Sequence, residues 1–306
     1  MRICSLLPSA TEIAFALGLG DEVVGVTHEC DYPPEAKKRR VVVKSVIDPE
    51  LQDSGEIDRL VREHGQKKKS IYTIDLASFQ AAAPDFILTQ DLCEVCALDY
   101  NEVIEAARSL AREPKIVSLA PANLSDVLRD IESVGNAAGR NREAIALLTN
   151  LKQRIERVRE RASISDTRPR IACIEWLDPI YNAGHWVPEM VELAGGIDGL
   201  ARKGEASKQI EWSTVREFAP EVMVLMPCGF DVQRSLKETS LLSRIDGWSK
   251  LPAVKNDRVY AVNGSAYFNR SGPRLIDGLE ILAQIVHPEI FPWQAPPEAA
   301  QRISME

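Results

Sequence analysis

The chain has 306 residues, with 37 Lys and Arg against 45 Asp and Glu for a formal net charge of −8, and 45% of it is hydrophobic. That is the composition of a globular protein long enough for two domains. The acidic balance and the lack of aromatics beside the basic clusters at 37–40 and 67–69 argue against nucleic acid, no apolar run approaches the ~20 residues of a membrane span, and six cysteines are too few for a disulfide scaffold.

In chain order, residues 2–7 are an apolar run expected to form a first strand. Pro8 and Ser9 turn the chain, and 11–19 has helical spacing closed by Gly18 and Gly20, with Ser9 and Glu12 spaced as a capping box. A second strand is expected at 23–27, followed by the polar loop from His28 to Pro34. Residues 44–70 are charged, with one helix expected at 55–64. Ala77 to Ala83 close another helix, Pro84 and Asp85 break it, and 86–89 is a buried strand. A helix over 101–110 and a strand over 115–119 follow, so strands alternate with helices as in a parallel sheet.

The middle of the chain is helical. Over 142–162, Ala144, Ile145, Leu148, Leu151, Ile155, Val158 and Ala162 recur every three or four residues, with charges opposite, Asn141 as the expected N-cap and Pro169 as a stop. At about 1.5 Å per residue, such a helix spans roughly 32 Å, enough to join two lobes. Beyond it the earlier order returns. Residues 170–176 repeat the first strand, 188–194 before Gly195 and Gly196 repeat the first helix, 218–225 repeat the Ala-Pro-Asp strand, and 258–262 repeat 115–119. The offsets differ, which excludes a tandem array. A last helix over 274–286 opens on Pro273, and the proline-rich tail beyond His287 is expected to be extended. The expected fold is two parallel-sheet α/β lobes joined by one long helix with a ligand cleft between them: 1–122, bridging helices 123–165, and 166–306.

Ligands gather at the carboxyl ends of parallel strands. That rule selects loops bearing Pro8, Ser9, His28, Tyr32, Asp91, Cys93, Glu94, Cys96, Trp176, Tyr181, His185, Trp186, Phe230, Tyr267, Phe268 and Arg270. Aromatic walls suit a large, partly apolar ligand, and the same rings could equally close the lobes' cores. Cys93 and Cys96 form a C-x-x-C pair open to three readings: loop cysteines, a metal site completed by His28, His185, Cys30 or Cys228, or a redox pair. Cys4 and Cys173 fall inside strands and are expected in the core, whereas His64 and His287 are expected at the surface. No phosphate loop and no Gly-x-Ser-x-Gly elbow is present.

The stretches 2–18, 31–34, 83–88 and 267–274 (Tyr-Phe-Asn-Arg-Ser-Gly-Pro-Arg) resemble the substrate-binding proteins for cobalamin and iron siderophores, over nearly the whole chain and nearest to the cobalamin binders. The resemblance implies two lobes on a rigid bridging helix with little hinge motion. It also implies a corrin pocket lined by Tyr32, Trp176, Tyr267 and Phe268. Two departures stand out. Where members that dock on a permease carry a glutamate on each lobe, this chain has Ala77 and Ser213, so an ABC permease partner is in doubt. The loop at 92–97 is also absent from the typical transport protein.

The leading expectation is therefore a non-enzymatic protein that holds a cobalamin-like corrinoid as ligand, either as a transport substrate-binding protein or as a carrier, with no catalytic cofactor. Two rivals stand beside it: a thiol- or metal-dependent enzyme using Cys93 and Cys96, and a siderophore or haem binder, which would need a basic cleft wall where only Arg270 and Arg234 are on offer. With neither a basic leader nor a separate apolar segment at its start, the sequence reads as cytoplasmic if its N-terminus is native, and as periplasmic or extracellular if a signal peptide has been removed.

Overall fold

The computed structural model describes residues 1–48, 52–67, 70–90 and 100–304. The first lobe runs β1 (Ile3–Ser5), α1 (Pro8–Ala16), β2 (Val23–Thr27), β3 (Arg40–Ser45), α2 (Ser54–Gln66), β4 (Tyr72–Ile74), α3 (Leu76–Ala82), β5 (Phe86–Gln90), α4 (Tyr100–Arg108) and β6 (Lys115–Leu119). Its six-stranded sheet has the order β4-β3-β2-β1-β5-β6 and is parallel except at β4. Two helices follow, α5 (Leu124–Ala137) and α6 (Asn141–Ala162).

The second lobe runs β7 (Ile171–Leu177), β8 (Ile180–Asn182), α7 (Val187–Leu193), α8 (Trp212–Phe218), β9 (Val222–Leu225), α9 (Val232–Ser243), α10 (Pro252–Lys255), β10 (Val259–Val262), α11 (Gly264–Tyr267), α12 (Leu275–Val286) and β11 (Ala300–Arg302). Its sheet has the order β11-β10-β9-β7-β8, with parallel β10-β9-β7 flanked by two antiparallel edges.

The internal repeat extends to single atoms. Arg2 Nε donates to the carbonyls of Ala82 and Ala83, and Arg170 Nε donates to those of Phe218 and Ala219. Each arginine's backbone N–H is held by a carboxylate of the facing strand start, Asp85 in one lobe and Glu221 in the other. Ala83 and Ala219 both end their helices in the left-handed conformation, at φ 43° and 50°, just before a proline. A residue with a Cβ costs about 1–2 kcal/mol there, and the arginine that ties down the preceding carbonyls is the compensating contact in both lobes.

The bridge is α6. Ala144, Leu148, Leu151, Val158 and Ala162 are buried, whereas Ile145, expected in the same stripe, is 65% exposed. The helix starts at Asn141 itself, and Arg140 stands at the cap without a side-chain capping bond, so Asn141 is not the N-cap. Gly135 of α5 lets α6 cross closely, since a Cβ there would lie 2.5 Å from that of Ala144. On the other side Arg154 reaches Glu280 at 2.9 and 2.6 Å and Asp277 at 2.5 Å on α12. One hydrophobic cluster runs from Ile3 in β1 through α5 and α6 to Val286 in α12. The separate cores expected from chain length are thus fused through the bridge, which ties the two lobes into one packed unit.

Several local expectations are corrected. Ser9 is not a helix cap: Leu7 occupies that position, and Ser9 lies inside α1. His287 is buried, at 2% exposure, with its ring facing Gly195 and Glu289. The tail is not simply extended, because Ala300–Arg302 pairs with β10 and Phe291 and Ala299 are buried. Cys4 and Cys173 lie in the core, and burial pushes the Cys4 thiol up to about 12.

Candidate functional site: a cleft with two unlike junctions

The carboxyl ends of both parallel sheets face one another, and two sets of contacts join the lobes there. The first set is charged. Glu12 sits in an otherwise apolar turn of α1 and is 3% exposed. Its carboxylate accepts from Arg274 at 3.0 and 2.5 Å and from Arg270 at 3.4 Å. Arg270 also donates to Asp31 and to the Glu29 carbonyl at 3.0 Å. Burial pushes the Glu12 carboxyl up, and the hydrogen bonds and charge of Arg274 and Arg270 oppose that shift. Ser271 donates to Ser9 at 3.3 Å beside this clasp, and Gly272 lets the chain pass, since a Cβ there would be 3.2 Å from Glu12 Oε2.

Beyond the clasp lies a cavity of ≈ 350 Å³. Asp31 and Tyr32 wall it from the first lobe, and Phe230, Arg234, Ser265, Tyr267 and Arg274 from the second. The Arg274 guanidinium lies 4.0 Å from the centre of the Tyr32 ring and 5.6 Å from that of Tyr267, so both rings share one cation. Burial raises the Tyr267 hydroxyl above its usual range. Two glycines make this wall. A Cβ on Gly264 would fall 2.5 Å from the Pro227 carbonyl, and one on Gly278 would fall 2.1 Å from that of Tyr267.

The second junction is mostly apolar. Ile57 and Leu60 of α2 join Ile47, Ile71 and Tyr72 of the first lobe and Phe230 and Trp176 of the second in one cluster. The rings of Trp176 and Phe230 are 5.3 Å apart, and Trp176 Nε1 donates to the Ser54 carbonyl at 3.1 Å. At the other end of α2, Tyr181 donates to Asp58 at 3.5 Å and Arg62 donates to Gln209 at 3.0 Å.

Of the residues selected from sequence, the structure brings Tyr32, Phe230 and Tyr267 to the cavity and places Pro8, Ser9 and Arg270 at or beside the clasp. Trp176 and Tyr181 face α2. Trp186 and Phe268 are corrected to core residues, 6% and 1% exposed, joined by a bond from Trp186 Nε1 to the Phe268 carbonyl. His28 lies beside Tyr72 and Glu29, and His185 lies at a tilt beside Trp186 with its pKa lowered by burial. Asp91, Cys93, Glu94 and Cys96 lie outside the described residues. Among the described residues no three His, Cys, Asp or Glu side chains cluster as a metal site. Cys30 is buried between Thr11 and Thr27, and burial raises its thiol, which does not favour the thiolate a metal or a nucleophile needs. Sequence reasoning missed Arg274 and Asp31 as site residues and read Glu12 as a cap. The available signal was a pair of arginines four apart and a lone carboxylate within an apolar helix.

Two α/β lobes on a bridging helix pair, with a cleft at the facing strand ends, define a bilobal binding protein. The chain belongs to the periplasmic binding protein family, whose profile matches residues 3–266. It is 32% identical, over 95% of its length and 81% of the relative's, to an uncharacterized ABC transporter substrate-binding lipoprotein of Bacillus subtilis. It is 25% identical to the vitamin B12-binding protein of Vibrio cholerae over 91% of this chain and 86% of that one. Among solved structures it resembles the periplasmic vitamin B12 binding protein of Vibrio cholerae, with a TM-score of 0.66, 24% identity and coverage of 96% and 98%. It also resembles a periplasmic heme-binding protein from Roseiflexus, with a TM-score of 0.70, 22% identity and coverage of 94% and 98%. This is a family of substrate-binding proteins of ABC transport, not of enzymes, and the thiol-enzyme reading finds no support in it. No helix among the described residues is long and apolar enough to cross a membrane.

Proposed function

We propose that the protein binds a cobalamin-like corrinoid in the cleft between its lobes and hands it to a permease. The observation that carries this reading is the charge state of the cavity wall. Both guanidiniums there have a carboxylate partner, Arg274 in Glu12 and Arg234 in Glu238 at 2.5 Å, and Asp31, Asp231 and Glu298 add further carboxylates to the wall. A wall with no unpaired cation among the described residues suits a large macrocycle rimmed by uncharged amides, its ring lying against Tyr32 and Tyr267 and its amides bonding to groups such as Ser265 and Asn263. Haem, with its two propionates, or an anionic ferric siderophore would be better served by unpaired cations. The vitamin B12-binding relatives agree with the corrinoid.

Relatives described as lipoproteins or as periplasmic favour work outside the cytoplasmic membrane, and the cytoplasmic expectation gains nothing from them. At the positions of the docking glutamates, Ala77 and Ser213 are exposed on the first turns of α3 and α8. Contact with a permease would then rest on other groups. The ligand reading is tested by incubating the protein with cyanocobalamin, dicyanocobinamide or haemin, desalting, and recording the visible spectrum. The expected result is retention of a corrinoid in about one equivalent and loss of haemin. Retention of haemin alone would overturn it.

A further inference from the structure

A cavity of ≈ 350 Å³ is small for a corrin macrocycle, and among the described residues it is α2 that lies across the neighbouring part of the cleft. This helix belongs to the first lobe but is fastened to the second at both ends. At its start, the Ser54 N–H donates to the Glu238 carboxylate at 3.1 and 3.3 Å, and the Ser54 carbonyl accepts from Trp176. Arg234, paired with Glu238, donates to the Gln52 carbonyl at 2.7 Å. At Gly55 the backbone passes so close to Asp178 that a Cβ would lie 2.8 Å from Oδ2. In the middle Ile57 packs on the ring cluster of Phe230 and Trp176, and near the end Arg62 reaches Gln209.

These fastenings are buried but narrow: the Arg234–Glu238 pair lies wholly on α9 and, among the described residues, holds only the backbone of Gln52 and Ser54. Within the 13 residues of α2 only Ser54 and Ile57 are buried, against nine of twelve in α12. Ser54 Oγ and Gln52 Oε1 are buried without a hydrogen-bond partner among the described residues, and groups left so count against the docked state. A helix with few buried apolar contacts and orphaned polar atoms at its anchor belongs to the low-stability end of a structure. The bridge, in contrast, is fused to both lobes through one continuous core. Space in the cleft is therefore gained by moving α2 and not by separating the lobes.

We infer that α2 is a displaceable occupant of the ligand cleft, undocking from Trp176, Phe230 and Glu238 to admit the ligand. The inference rests on the ligand binding in this cleft. Observed affinity is the intrinsic affinity scaled by the fraction of molecules with α2 undocked, so loosening α2 tightens binding and fixing it weakens binding.

Two variants test this with cyanocobalamin as the probe. Ile57→Ala should accelerate amide exchange over 54–66 at least tenfold, leave α5 and α6 unchanged, and tighten binding several-fold. Gly55→Cys with Asp178→Cys, oxidised to a disulfide, should weaken binding at least tenfold, with full recovery on reduction and no such redox effect in the unsubstituted protein. Exchange in 54–66 that moves only together with α5 and α6, or equal affinity of oxidised and reduced double variant, would overturn the inference and leave the corrinoid reading intact. If no form binds cyanocobalamin while exchange still rises in 54–66 alone, the displaceable helix stands and the corrinoid reading falls.

Discussion

The two junctions between the lobes are built from opposite materials. On the α1 side, one buried carboxylate gathers two arginines from the segment leading into α12, and both α1 and α12 belong to the fused core. On the α2 side, a helix with two buried residues leans on rings through a small apolar cluster, with charged contacts at its ends. A buried, hydrogen-bonded ion cluster has one good geometry and loses heavily when a partner is removed. The α2 side has a buried ion pair too, Arg234 with Glu238, but both partners lie on α9 and, among the described residues, α2 meets them only through the backbone of Gln52 and Ser54, so that pair stays intact when α2 leaves. The first junction therefore fixes the distance between the lobes, and the second can separate without disturbing it.

The sharpest way to break this contrast is Glu12→Ala, which leaves Arg270 and Arg274 buried without their shared acceptor. We expect a loss of about 3–5 kcal/mol by chemical denaturation, far above any single change in α2. A smaller loss, below that of Ile57→Ala, would reverse the assignment of the rigid side. Next is Gly278→Ala, whose added Cβ meets the Tyr267 carbonyl. The backbone of α11 must shift, for about 2 kcal/mol, and corrinoid affinity should fall with it because Tyr267 walls the cavity.

Asp130 on α5 is a control outside both junctions. Its Oδ2 is buried without a partner among the described residues, and burial, then the charge of Asp126, pushes its pKa from 3.8 to about 7. The folded state thus holds this proton more tightly than the unfolded chain, so the stability it contributes is complete below about pH 4 and lost as pH rises through 7. Asp130→Asn should stabilise the protein at pH 8 by about 1 kcal/mol, after allowance for solvent screening of a partly exposed group, and give no gain at pH 4. The smallest effect is expected for Arg62→Ala at the exposed end of α2: no measurable change in the global transition, and faster exchange confined to 54–66.

Much of the scaffold was legible from sequence because its signals are local. The parallel strands β1, β2, β5, β6, β9 and β10 are short, largely apolar runs, and the Ala-Pro junctions at 83–84 and 219–220 advertise the repeat. The misses have a common cause. Strands β4, β8 and β11 are three residues each and sit at antiparallel edges, where pairing is decided by the neighbouring strand and not by their own pattern. β3 was missed although Val41, Val42 and Val43 stand in a row, because the surrounding charges mask them. Glu12 and Arg274 are 262 residues apart, beyond any spacing rule. The aromatic residues expected in loops at strand ends divide, with Trp176 inside β7, Tyr181 inside β8 and Tyr267 ending α11, and sequence could not tell Tyr267, which faces the cavity, from Phe268, which turns into the core. Nor could it show that the helix expected at 55–64 lies across the cleft.

The central claim is that the cleft accepts a corrinoid, and thermal unfolding with added ligand addresses it most directly. Free cyanocobalamin at ~100 times its dissociation constant should add about 2.7 kcal/mol and raise the melting temperature, and haemin should leave it unmoved. A melting curve indifferent to cyanocobalamin and cobinamide, or shifted by haemin alone, would contradict the claim.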